Sequence, residues 1–270
     1  MKSETGWWLV THPDHARLAG AFAAAWGNAM FRRPEPRARV LHGIRTHDDG
    51  WAVRDAHPSV TREGKPSAFS TELVGKYSAF EEIDLAEYLA VRERAVRIIA
   101  EEDAYAGLLI AKHTYNLLTA HADRSTIRAE HLPLLDAFLE GQRTYQRELV
   151  RRIAEDASLS DEEKEPARIE EHFRLLQACD NLSLLTCVAF AEPASLLHPL
   201  PLNDGGMAEV RVMPVGVREF RLEPWPFAKA ELRFTFPARH VLGKRFDSSG
   251  DLETAFHAAR VEELGVRLSG

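Results

Sequence analysis

The residues that invite chemistry in this chain are histidines and aspartates placed where a leucine is expected. His47 and Asp48 are adjacent in the stretch from Arg39 to Trp51 (RVLHGIRTHDDGW), after an apolar helical run and before a Gly-Trp stop. An imidazole beside a carboxylate can give two ligands to one cation. His47 also continues the stripe Val40, Ile44, His47, Trp51. Three other stripes carry the same kind of exception. His15 sits with Leu18, Phe22 and Trp26; His113 lies between Leu109 and Leu117; Asp180 falls in the series Ile169, Phe173, Leu176, Asp180, Leu184, Cys187. These spacings put each residue on the core face of a helix.

A buried carboxylate needs a partner, because an unpaired one costs on the order of several kcal/mol. The histidines can supply that partner directly or through a shared divalent ion, as helical bundles do with inward-facing His and carboxylate. Mixed nitrogen and oxygen donors suit iron, manganese, cobalt or zinc better than calcium, and the set allows one ion or two. Plainer explanations exist for each residue. A core histidine can be hydrogen-bonded to its neighbours, Asp180 with Asn181 and Ser183 can cap a restarting helix, and Asp48-Asp49-Gly50 can be a turn.

The elements that must position these residues follow in order. Residues 14–26 read as a helix closed by Gly27-Asn28, residues 32–39 as a connection with Pro34 and Pro36, and the second helix as a short one ending near His47. A loop with Pro58, Gly64 and Pro66 spans 55–69 and has the length of one that overlies a site. Helix is expected over 72–121, with Gly107 a weak point or close approach, and again over 125–156. Ser160 with Glu163 is a capping box opening a helix that runs to Phe190. Beyond Pro193, alternating runs near Val210, Phe220, 232–236 and the last residues read as strands. The expected fold is mainly α: a helical bundle over 1–200 and a small antiparallel sheet over 205–270 packed on it. Trp225 and Phe227 are expected near the rim of the pocket.

With His15, then His47-Asp48, then a late helical Asp180, the chain resembles the HD superfamily of metal-dependent phosphohydrolases. The resemblance implies an HD-like bundle in which His15, His47, Asp48 and Asp180 hold a divalent metal. It makes His113 a ligand to a second ion, with His121 or His131 as further candidates. It also implies a small phosphorylated substrate, a phosphoester or nucleotide, which Arg17, Arg45 and Lys112 could meet. The Ile-Gly-Lys that commonly follows the pair in that superfamily is replaced by Asp49-Gly50-Trp51. HD-type di-iron oxygenases share the ligand order and are the alternative reading. A third is a non-enzymatic protein with a polar core and a partner-binding sheet. The chain also resembles an uncharacterised bacterial family of unknown function, through its His- and Ala-rich first helix, HDDGW, and the segment Asp180–Leu184.

Composition narrows the classes. At 270 residues and 45% hydrophobic the chain can bury a real core. A net charge of -7 and a pI near 6.0 speak against nucleic acid as the main partner. No apolar window is long enough to span a membrane and no export signal is visible, so a cytoplasmic protein is expected. Cys179 and Cys187 read as reduced packing residues. There is no Gly-rich phosphate loop, GxSxG elbow or paired-Cys zinc pattern. His12 is expected to precede the first helix, His42 to point away from His47, and His57, His172, His198, His240 and His257 to lie on the surface or in loops.

Overall fold

The computed structural model describes all 270 residues. Strand β1 (Gly6–Leu9) leads into α1 (His12–Ala25), followed by α2 (Arg37–Thr46), a 3-10 turn at Asp49–Trp51 and the single-turn α3 (Ala52–Asp55). The central helices are α4 (Leu85–Glu102), α5 (Ala104–Ala120), α6 (Leu132–Glu155), the short α7 (Asp161–Lys164) and α8 (Pro166–Cys187). The rest comprises β2 (Ala194–Ser195), β3 (Leu200–Pro201), β4 (Met207–Ala208), β5 (Arg211–Gly216), β6 (Glu219–Glu223), β7 (Glu231–Leu242), α9 (Ser249–Ala258) and β8 (Val261–Ser269).

The expectation of a mainly helical bundle carrying a small antiparallel sheet is wrong. About half of the residues are helical, and the sheet is large, mixed and curled into half a barrel. Its strand order is β1-β7-β8-β6-β5-β2, and β3 and β4 form a second sheet. Most neighbours are antiparallel, but β8 inserts between β7 and β6 and runs parallel to β6. Alternation along a strand shows which face is buried and nothing about which strand lies beside it. β1 was missed as a strand because four residues carry little periodicity; its partner, β7, lies at the other end of the chain, with Gly6 opposite Leu242.

Several helix boundaries also differ. The expected helix over 72–121 is two helices starting only at Leu85. Asp84 caps α4 by accepting from the Glu87 amide, and Asp103 caps α5 by accepting from the Tyr105 and Ala106 amides. Gly107 is the close-approach position: a Cβ there would stand 2.4 Å from the Ala100 Cβ. α6 starts at Leu132 rather than near Ser125. The Ser160–Glu163 capping box is present but opens only the single-turn α7, because Pro166 starts a new helix. The loop expected over the site is tied instead to the C-terminal region, where Phe246 N donates to Gly64 O and Val60 N to the Ser249 hydroxyl.

One apolar core runs without a break from Leu18 and Phe22 on α1 through α2, α5 and α8 to Phe220, Phe236 and Leu268 on the sheet. A second cluster gathers Trp51 with residues of α4, α5 and α6. Both cysteines are free and buried. No helix is long and apolar enough to cross a membrane.

Candidate metal centre

Thr11 caps α1 by accepting from the Asp14 amide, and Pro13 fits the first turn, where its missing N–H is not needed. His15 therefore lies one turn in, on the inward face. α2 ends at Thr46, and His47 is its C-terminal cap. Asp48 then leaves helical geometry, with φ -119°, before the 3-10 turn. This change of direction matters, because adjacent residues inside a helix point about 100° apart. At the helix end both His47 and Asp48 can face one point. His113 comes from the middle of α5 and Asp180 from the middle of α8. α8 runs unbroken past Asp180, which is not a cap; the Ser183 hydroxyl donates back to the Asp180 carbonyl at 2.7 Å.

The structure brings His15, His47, Asp48, His113 and Asp180 together, all buried. His15 Nε2 is 3.1 Å from Asp48 Oδ2, and His47 Nε2 is 3.8 Å from the same oxygen. Asp180 Oδ1 is 3.3 Å from His47 Nε2 and 3.6 Å from His15 Nδ1, and its Oδ2 is 4.0 Å from His113 Nε2. Donors about 2.1 Å from a common ion stand roughly 3–4.2 Å from one another, and the four separations between an Nε2 and a carboxylate oxygen fall in that range. Two triads, His15-His47-Asp48 and His47-His113-Asp180, have donor atoms within 4.8 Å of one another. These buried groups could hold a metal ion.

The surrounding hydrogen bonds decide which nitrogens are free. His47 Nδ1 donates to the Ile44 carbonyl at 2.8 Å, which leaves Nε2 facing the carboxylates. That atom is fully buried and has no hydrogen-bond partner. The only hydroxyl hydrogen of Ser183 goes to the Asp180 carbonyl, so at 3.0 Å from His15 Nδ1 its oxygen must accept. His15 Nε2 is then the atom turned toward Asp48. A histidine whose Nδ1–H is held by the protein presents Nε2 as a ligand.

The electrostatics follow from burial and pairing. Burial would raise the Asp48 carboxyl, but the Arg92 guanidinium, with His47 and His15, holds it well below its ordinary range. Arg92 Nη1 donates to Asp48 Oδ1 at 2.7 Å, its Nε to the Tyr88 hydroxyl at 3.2 Å, and its guanidinium lies 5.0 Å from the Trp51 ring centroid. Burial would lower the His47 imidazole, but Asp48 and Asp180 raise it to about 9. Burial likewise opposes ionisation of Asp180, which His47 brings down to about 2. His113 is pushed down to about 3, chiefly by burial.

The other candidates lie outside this cluster. Arg17 pairs with Asp14 at 3.2 Å and reaches Asp49 at 4.0 Å, on the rim. Arg45 is exposed, and its Cα packs where α1 carries Gly20. Lys112 is bound to Glu170 at 3.0 Å. His121 caps the end of α5, and His131 sits beside Arg128 and Glu130. Trp225 and Phe227, expected near the rim of the pocket, do not border it. Phe227 packs on Trp26, 5.4 Å between centroids, at the opposite end of α1 from His15. Two histidines were placed wrongly in sequence: His12 is the first residue of α1, held by Asp55 at 2.8 Å, and His172 is buried against Tyr105. Arg92 and Gln177 carry no expectation from the sequence, and Ser183, expected as part of a helix cap, instead accepts from His15 Nδ1. A cavity of about 400 Å³ lies beside the centre rather than at it, lined by Thr11, Asp14, Arg17, Asp55 and Arg239 among others.

Residues 1–242 match the family model described as "Protein of unknown function (DUF3891)". The chain belongs to this family. No curated protein and no solved structure matches it. All five cluster residues fall within the span shared with DUF3891, whereas α9 and β8 lie beyond it. Membership in DUF3891 brings no activity with it, so the chemistry must be argued from the centre itself.

Proposed function

We propose that this chain is a metal-dependent phosphohydrolase acting on a phosphoester or nucleotide through the centre formed by His15, His47, Asp48, His113 and Asp180. The observation that carries the reading is His47 Nε2, a fully buried nitrogen with no well-aligned hydrogen bond, set between Asp48 Oδ2 at 3.8 Å and Asp180 Oδ1 at 3.3 Å. A cation at that point gives it a partner. Bound there, a divalent ion would supply Lewis acidity toward a phosphoryl oxygen and a nucleophile from water near neutral pH.

The chain's own residues prepare that chemistry. Ile44 and Ser183 orient the two imidazoles, and Arg92 holds Asp48 ionised and fixed through its other oxygen. Arg92 also offsets one of the two carboxylate charges, so a divalent ion leaves the buried centre net positive, which favours a phosphate anion. Asp180, with 10% of its side chain exposed, is the most open of the five and marks the side on which substrate would reach the centre. Arg17, tied to the rim through Asp49, is the nearest candidate for a substrate phosphate. The two donor triads are distinct but share His47, so one ion beside His47 Nε2 is the simplest occupancy. A di-iron oxygenase would need further ligands for a second ion about 3.5–4 Å away.

Purified protein should carry close to one equivalent of iron, manganese, cobalt or zinc and release phosphate from a panel of p-nitrophenyl phosphoesters and nucleotides. Asp180→Ala should lose the metal. Metal below about a tenth of an equivalent, with no fall in thermal stability on adding chelator, would sink the reading, since a bound ion must stabilise the fold. Stoichiometric iron with visible absorbance and no phosphatase activity would turn it toward redox chemistry.

A further inference from the structure

His113 differs from the other two histidines in how its second nitrogen is held. Its partner is the side-chain amide of Gln177, a residue of α8 with no exposed surface: Gln177 Nε2 donates to His113 Nδ1 at 2.9 Å. The other end of the same amide is also engaged, because His198 Nε2 donates to Gln177 Oε1 at 3.0 Å. His198 stands between β2 and β3 with φ 64°, a backbone conformation that residues with a Cβ seldom adopt, and its ring lies against Phe173 at 6.0 Å. A strained backbone is retained where the surrounding structure needs that side chain in one place. Here the place is the outer end of a three-residue line from the buried cluster to the half-buried His198.

The polarity of this line fixes the tautomer of His113. With the amide nitrogen toward it, Nδ1 accepts and Nε2 carries the hydrogen, facing Asp180 Oδ2 at 4.0 Å. To ligate a cation through Nε2, His113 must carry its hydrogen on Nδ1, and the group opposite must accept. A carboxamide can meet that demand by turning over. Its oxygen then accepts from His113, and its nitrogen donates to His198 Nε2, which becomes the acceptor. The Gln177 amide stays paired at both ends in either state, with His113 Nδ1 and His198 Nε2 exchanging donor and acceptor roles. We infer that Gln177 and His198 are positioning residues that form a reversible relay: divalent-cation binding at His113 turns the Gln177 amide over and switches His198 from donor to acceptor. This rests on the metal-centre reading above.

The test uses the full chain and measures Mn2+ and Zn2+ binding by calorimetry, with thermal unfolding of the metal-free proteins alongside. Gln177→Leu, which removes both bonds, should weaken binding about 10- to 100-fold, the usual effect of losing such a partner. Gln177→Glu, whose carboxylate can only accept, should bind within a few-fold of wild type or more tightly. A purely structural role gives the reverse order, because a buried carboxylate destabilises the fold more than leucine does. In the 15N spectrum of the histidine rings, Zn2+ should convert His198 Nε2 from protonated to unprotonated. If wild type binds neither ion, the metal centre itself fails and the relay with it. If wild type binds but Gln177→Leu binds equally well, or Gln177→Glu binds as weakly as Gln177→Leu, or the His198 tautomer is unchanged at saturation, the relay alone is overturned.

Discussion

Arg92 shows best how much of the centre depends on a single side chain. It is buried, and it is the only cation paired with Asp48 Oδ1. Arg92→Leu leaves a carboxylate buried beside histidines alone, and breaking such a pair costs about 3–5 kcal/mol. Urea unfolding of the metal-free variant should show a loss of that order. A change under about 1 kcal/mol would mean that Asp48 is not held as described. His172 gives a second handle, away from the centre. Burial, then the charges of Arg168 and Arg32, push its imidazole down to about 3. The folded protein keeps it neutral, its Nδ1 hydrogen-bonded with the Tyr105 hydroxyl at 2.7 Å. The unfolded chain takes up that proton below about pH 6.5, so stability is lost as pH falls from there toward 3, by up to about 1.4 kcal/mol per pH unit for each such histidine. His113 acts in the same direction. Unfolding of His172→Gln between pH 7 and 5 should therefore be less pH-dependent than wild type by about one proton; an equal slope would clear His172 of the role. The rule that located His15, His47, His113 and Asp180, an ionisable residue on an apolar stripe, also fits Arg92 in the series Leu85, Leu89, Arg92, Val96, Ile99. It was not legible there because a long arginine can lie along a stripe and still carry its charge to water. His172 was masked by its charged neighbours Glu170, Glu171 and Arg174, which face outward while it faces in.

At the scale of elements, the turn Asp49–Trp51 matters most, because it decides where Asp48 points. It packs against α4 through Gly50, where a Cβ would stand 2.7 Å from the Ala95 Cβ and 2.8 Å from the Val91 carbonyl oxygen. Two of the three nearest atoms are backbone, so the turn rather than α4 must move. Gly50→Ala should lower stability by about 1–3 kcal/mol, as overpacking does, and reduce metal occupancy, read by metal analysis of the folded fraction. Occupancy at wild-type level would show that the turn does not set the centre. Sequence signals served the elements unevenly. The four long strands announced themselves by alternation, and α1, α2 and α8 by their stripes. α9 and β1 did not, one being a ten-residue helix between strands and the other four residues long. Asp84 and Asp103, which start α4 and α5, look like any acidic surface residue until their bonds to the amides that follow are seen.

At the scale of the molecule, helices and sheet share the main core, and the long strands bury their inner faces against α1, α2, α5 and α8 rather than in an interior of their own. Unfolding followed by far-ultraviolet dichroism and by tryptophan fluorescence should give a single, coincident transition. Two separated transitions would instead show the C-terminal strands melting as an independent unit. The pairing of β1 with β7 has a consequence for how the protein is made. Gly6 faces Leu242, and α1, which carries His15, follows directly on β1. During synthesis β1 has no partner until β7 has left the ribosome, and contacts of such sequence separation form late. The strand that leads into His15 is thus fixed at its other edge only late, whereas α1 itself can already pack on α2 and α8.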